Sequence, residues 1–248
     1  TTSWGYRLRA TEDHKFFSIY KSPSSNAYRD GITAPERADE LQKDDALLWQ
    51  PPDVTPFPKE CAISRRPNAV EAGERRYRTA NTENFPATWS FDVGLVLGAL
   101  QGDGAVNHTK ANVAFAKGER DTDLVERVAA TINPWCGGDT EAKRQSTGVM
   151  LAAWRNQGLV EFLEDCGFDR RPAPDQRITP RGIWTASESA VAGYLSGLFS
   201  TNGCVEVNEN AKRVCLSFAS VSRKLIEDTQ QLLFSFGVRS NLSEYTSG

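Results

Sequence analysis

Hydrophobic residues recur along this chain with two different rhythms. Over residues 6–10 and 15–20 apolar and polar positions alternate, the period of short strands. Residues 34–48 leave room for a helical turn ahead of a strand at 46–49. Prolines 51, 52, 56 and 58 then interrupt any regular element, and residues 51–90 read as a polar, partly structured connector. From Phe91 the period turns helical. Val93, Leu95, Val96, Leu97 and Leu100 make an apolar helix that stops at Gly102-Asp103-Gly104. Two strands are expected within residues 105–117, turning near Thr109-Lys110, followed by an amphipathic helix over 121–132 marked by Leu124, Val125, Val128 and Ile132. Residues 133–145 read as irregular, with a strand at 148–154 and a helix at 156–166 after them. The order then restarts: helix 188–199, strands 204–208 and 213–219, helix 222–236, and a further strand over 240–245. The second copy is expected to be truncated before its last strand and helix.

The two copies share a motif. Val96-Leu97-Gly98-Ala99-Leu100-Gln101-Gly102-Asp103-Gly104 is matched by Leu195-Ser196-Gly197-Leu198-Phe199-Ser200-Thr201-Asn202-Gly203. Such an internal repeat implies two copies of one structural unit. Gly94, Gly98 and Gly102 lie four apart on one helix face, as do Gly193 and Gly197. Glycine costs about 1 kcal/mol relative to alanine inside a helix. Its recurrence on one face therefore predicts two helices in close backbone contact. Their C-terminal ends would lie side by side, bringing Asp103 and Asn202 together. Paired acidic groups at such a place suit a divalent cation, which prefers oxygen ligands and activates water in phosphodiester hydrolysis. Read singly, Asp-Gly and Asn-Gly are also ordinary helix-ending turns.

Composition narrows the field only slightly. The 248 residues carry 29 Lys+Arg against 32 Asp+Glu, a net charge of -3, so DNA binding would require the basic residues to gather on one face. Five scattered cysteines without a C-x-x-C pair, and two histidines, argue against a zinc site and for a reducing, cytoplasmic setting. No apolar run is long enough for a membrane span, and no leader is expected.

Both glycine-rich segments resemble the LAGLIDADG motif of homing endonucleases, over about residues 90–248. Ile178-Thr179-Pro180 to Trp184 and Arg223-Lys224-Leu225 to Phe236-Gly237 are similar to that family as well. The resemblance implies an α+β fold, a duplicated αββαββα pseudo-dimer whose two sheets form a saddle over the DNA major groove. It implies Asp103 at the acidic metal position, and Mg2+ held by Asp103 and Asn202 with the preceding Gly102 and Thr201. A basic residue beside the active site would be Arg155. Polar strand residues that would face DNA are Asn107, Thr109, Lys110, Asn112 and Lys117 in the first copy, and Glu206, Asn208, Asn210, Lys212 and Arg213 in the second; solvent exposure alone also accounts for each. Asn202 departs from the family, because an amide cannot replace an anionic ligand. Impaired double-strand cleavage, nicking or binding alone is the expectation.

The segment Gly5-Tyr6-Arg7-Leu8-Arg9-Ala10-Thr11-Glu12-Asp13-His14 resembles the intein block carrying T-x-x-H, and 38–47 is similar to the segment that follows it in inteins. That resemblance implies that His14 protonates the scissile amide nitrogen while Thr11 polarises the bond. Taken alone, T-x-x-H is a weak pattern that a structural histidine also satisfies. No nucleophile precedes the block at an intein start and no terminal His-Asn follows, so splicing is expected only with flanking segments. The organisation expected is a β-rich partial splicing (Hint) region at 1–50, a connector at 51–90, a first LAGLIDADG repeat at 91–186 and a second at 187–248. The function expected is that of an intein-encoded, monomeric, Mg2+-dependent endonuclease. Its partners would be a double-stranded DNA target and the flanking host protein, with no membrane. A degenerate DNA-binding protein without cleavage, and an unrelated α+β protein, are the alternatives.

Overall fold

The computed structural model describes residues 84–245 apart from 108–109, 119–120, 170–172 and 209–212. Ahead of these it describes 2–3, 5–6, 10–16, 18–19, 36–41, 46–47, 57–58 and 60–65. The described residues form a mixed α+β fold. Four two-residue strands lie near the start: β1 (Lys15–Phe16), β2 (Ser18–Ile19), β3 (Glu36–Arg37) and β4 (Ala46–Leu47), with β1 antiparallel to β3 and β2 antiparallel to β4. The strand expected at 6–10 falls largely outside the described residues, as does most of the helical turn expected within 34–48.

The main body begins with α1 (Phe91–Asp103), whose first turn is capped by the Ser90 hydroxyl accepting from the Val93 amide. Strands β5 (Gly104–Asn107) and β6 (Asn112–Gly118) form a hairpin, followed by α2 (Thr122–Cys136), β7 (Lys143–Arg144), β8 (Val149–Arg155) and α3 (Gln157–Asp165). The order in the sheet is β5-β6-β8-β7, antiparallel throughout. Helix α4 (Glu188–Asn202) restarts the series, capped by the Ser187 hydroxyl. It leads into the β9 (Gly203–Asn208) and β10 (Arg213–Phe218) hairpin and then α5 (Arg223–Ser235).

Two departures from the sequence reading have physical causes. Helix α2 runs to Cys136, through Pro134, where the sequence reads a break after Ile132. Tertiary contacts hold this last turn: Asn133 accepts from the Trp154 indole at 3.0 Å and donates to Thr140 O at 2.9 Å, and the Trp135 ring meets Phe162 edge-on. Residues 240–245 form no strand. Instead, Ser240 donates its amide to the Tyr6 hydroxyl and accepts from the Gln230 amide, so side chains satisfy its backbone. The connector also joins the core. Ile63, Phe85 and Trp89 are buried, and backbone bonds Ile63 N to Ala87 O and Trp89 N to Cys61 O tie its described parts together.

The core lies between the sheet and the helices. On β5, β6 and β8 one face carries Val106, Val113, Phe115, Ala152 and Trp154, with Val113, Phe115, Ala152 and Trp154 buried against α1, α2 and α3. The corresponding face of β9–β10 is built from the pairs Val205 with Leu216 and Val207 with Val214. All four of those side chains are exposed.

The paired helix ends and the candidate nucleic-acid interface

Helices α1 and α4 form the closest helix pair among the described residues, and glycine makes that approach possible. Gly94 faces the Ala190 carbonyl, Gly98 the Tyr194 carbonyl, Gly193 the Phe91 carbonyl and Gly197 the Leu95 carbonyl. A Cβ at any of the four would overlap main-chain atoms of the other helix. At Gly102 the neighbour is the Thr201 side chain, whose hydroxyl donates back to Leu198 O at 2.7 Å. Both helices end on a glycine whose amide closes the last turn, Gly104 onto Leu100 O and Gly203 onto Phe199 O.

The two ends are joined by a cation. Lys117, on β6, places its Nζ 2.7 Å from Asp103 Oδ2 and 2.7 Å from Thr201 O, thereby bridging α1 and α4. Its side chain is only 14% exposed, so it does not extend outward as a free phosphate arm. Strand alternation explains the placement: residues 113, 115 and 117 share a face, and the first two are buried valine and phenylalanine. A lysine on such a face requires a partner, and Asp103 provides one.

A second cation reaches α1 from the segment between the two units. Arg177 Nη1 donates to Gln101 O at 2.8 Å and to Gly102 O at 2.6 Å. These are carbonyls of the last helical turn, which have no partner inside the helix. Arg177 is itself held in place by α5: Ser222 Oγ donates to Arg177 O at 2.5 Å while capping the Leu225 amide, and Asp228, which pairs with Lys224, accepts from the Thr179 amide. No motif marks Arg177 in the sequence; only the fold brings it to the helix end.

The donor set fits a divalent cation poorly. Asp103 is the single carboxylate of the pair, and one of its oxygens already accepts from Lys117. The main-chain oxygens of Gly102 and Thr201 accept from Arg177 and Lys117. Asn202 adds only a neutral amide. Among the described residues no group of three or more His, Cys, Asp or Glu side chains is placed to hold a metal.

The remaining sequence-derived residues lie elsewhere. Asn107, Asn112 and Arg155 stand opposite one another across β5, β6 and β8, on the face away from α2 and α3. This row is three residues along β8 from Ala152, which shares a row with Gly104; at strand rise that is about 10 Å. Arg155 is thus grouped with the two asparagines, and the cation beside Asp103 is Lys117. Alanines 105, 114 and 153 fill the next row of that outer face. Lys110 is exposed in the hairpin turn, its amide donating to Asn107 Oδ1. On the second hairpin, exposed Glu206 pairs with Cys215, and Asn208 with Arg213. Thr109, Asn210 and Lys212 lie outside the described residues. Thr11 and His14 close an exposed turn, His14 N donating to Thr11 O at 3.1 Å. The Thr11 hydroxyl bonds Asp13 and holds its carboxyl below the usual range, and the His14 ring packs on Phe16.

Comparison with known proteins finds a family match in the last quarter of the chain. Residues 189–248 match the model of the LAGLIDADG-like domain. The chain is 23% identical over 258 aligned residues to the alpha subunit of ribonucleoside-diphosphate reductase NrdEB from Bacillus subtilis (strain 168), a match covering 97% of this chain and 20% of that protein. It is 33% identical to the replicative DNA helicase DnaB of Synechocystis sp. over 62% of this chain and 18% of the helicase. To a DNA gyrase subunit of Mycobacterium malmoense it is 29% identical over 65% of this chain and 34% of that protein. The chain thus spans about a fifth of the reductase and the helicase and a third of the gyrase subunit. No helix among the described residues is long and apolar enough to cross a membrane.

Proposed function

We propose that this chain is the LAGLIDADG homing-endonuclease-type portion of an intein, that it recognises a specific double-stranded DNA site, and that its cutting chemistry is impaired. The observation that carries the reading is the glycine-faced pairing of α1 and α4, whose adjacent ends carry Asp103 and Asn202 and each lead directly into a β-hairpin. The relatives support the intein part. A reductase, a helicase and a gyrase subunit have different activities, yet each contains a segment similar to this chain. An element inserted into unrelated hosts accounts for that pattern. The Thr11–His14 turn would then belong to the splicing region, acting together with flanking segments of the longer protein and its host.

DNA recognition would use the outer strand faces, with Asn107, Asn112 and Arg155 reading or positioning one half of the site, as β-ribbon readers do in the major groove. The test is selection from a random duplex pool. Retained duplexes are expected to converge on one long sequence, and failure to retain any duplex would overturn the reading. Cys204 offers a second check. Alternation puts Cys204 and Glu206 on the face of β9 opposite Val205 and Val207. Cys204 is exposed, whereas burial raises the Cys136 thiol to about 11 and pushes Cys166 higher still. At neutral pH Cys204 is expected to alkylate well before Cys136 or Cys166. Bound duplex should slow Cys204 selectively, as read by mass spectrometry.

Mg2+-dependent cleavage is the second reading, favoured by the intact Asp103. Wild type and Asn202→Asp are incubated with supercoiled plasmid carrying the selected site. Linear product from the variant alone identifies Asn202 as the disabling change. Linear product from wild type would show that the site cuts as it stands.

A further inference from the structure

The geometry points to Lys117, which bridges α1 and α4, and Arg177, which closes the end of α1, as the resident cations of the paired helix ends, standing in place of a divalent metal, so that DNA recognition by this chain needs no metal ion. The inference rests on the DNA-binding reading above and deepens it.

Charge accounting around the two ends leads there. Each helix C-terminus carries roughly half a negative charge on its unpaired carbonyls. Two such ends side by side, with the Asp103 carboxylate added, amount to about two negative charges. Lys117 and Arg177 bring two positive charges to these same atoms: Asp103 Oδ2, Thr201 O, Gln101 O and Gly102 O, at 2.6 to 2.8 Å. The cluster is close to neutral before any ion arrives. A dication therefore meets little attractive field, one carboxylate whose oxygen is shared, and an amide where a second carboxylate would be required. The ammonium of Lys117 has no easy exit, because its stem runs along the buried face of β6 and the side chain is 14% exposed. Lys117, delivered by a strand, joins the two helix ends, and Arg177, delivered by the inter-unit segment, closes that of α1. An adventitious surface ion pair would not tie α4 to α1 in this way.

The test uses the whole chain and manganese, which reports binding directly by electron paramagnetic resonance. Wild type is expected to show no manganese binding at millimolar concentration. Its melting temperature should be the same in EDTA and in millimolar Mg2+, and it should shift its selected duplex equally in both buffers. Lys117→Met is expected to melt several degrees lower, and Lys117→Met combined with Asn202→Asp to bind manganese at least tenfold more tightly than wild type. Sub-millimolar manganese binding by wild type that Asp103→Asn abolishes would overturn the inference, as would DNA binding that requires Mg2+. Should Lys117→Met not fold, Lys117→Arg, which keeps the charge, is expected to retain the wild-type indifference to Mg2+; a Mg2+-dependent melting temperature in it counts against the assignment. Loss of duplex retention in both buffers defeats the DNA-binding reading instead, while the manganese titration still decides which cation holds the site.

Discussion

Gly98→Ala is expected to lower the stability of the domain by about 3 kcal/mol, the upper part of the range for overpacking a tight interior. The added methyl would overlap the Tyr194 carbonyl and lie 2.8 Å from the Leu198 amide. Both are main-chain atoms of α4, so no side chain can rotate away. Relief requires the two helices to separate, which opens the interface around buried Leu97, Val191, Tyr194 and Leu198. The gain in helix propensity of about 1 kcal/mol from replacing a helical glycine does not offset this. A control lies at Gly138, where a Cβ would have nothing within 4 Å. Gly138→Ala should stay within about 0.5 kcal/mol of wild type. Urea unfolding of the three proteins decides the matter; equal midpoints would remove close packing as the role of the glycine face.

Arg177→Met should cost about 2 kcal/mol, from the loss of two hydrogen bonds made by a charged donor. The effect is expected to be local as well as global. The last turn of α1 loses the partner of Gln101 O and Gly102 O. Amide exchange at Asp103 and Gly104 should therefore accelerate more than exchange at the start of the helix. Arg177→Lys keeps the charge but replaces the planar guanidinium with a compact ammonium, and should recover only part of the loss. Unchanged exchange at the end of α1 in Arg177→Met would show that the guanidinium does not hold that end. Because Ser222 fixes the main chain of Arg177, Ser222→Ala should reproduce part of the same local loosening.

Much of the scaffold was legible in the residues. The apolar period from Phe91 and the amphipathic spacing of Leu124, Val125, Val128 and Ile132 are local signals, and α1 and α2 form over them. The spacing of Gly94, Gly98, Gly193 and Gly197 pointed to the helix pairing, because only a missing side chain permits two backbones to meet. Elements fixed by distant partners were not legible. The last turn of α2 forms across Pro134 because Trp154 and Thr140 hold Asn133. Residues 240–245 read as a strand but form none, and the backbone of Ser240 bonds to the side chains of Tyr6 and Gln230.

The site divides in the same way. The sequence by itself determined that two glycine-faced helices end in Asp103 and Asn202, since periodicity and repeat spacing are properties of the chain. It also contained an unused signal at Lys117, in phase with buried Val113 and Phe115. What the tertiary structure alone decided is which charges stand at those ends. Lys117 reaches Asp103 and Thr201 because β6 runs antiparallel to β5 beside them, and Arg177 arrives from 75 residues beyond Gly102. Hydrogen bonds between residues so far apart leave no periodic trace in a sequence, because they depend on how the helices and strands pack and not on local propensity.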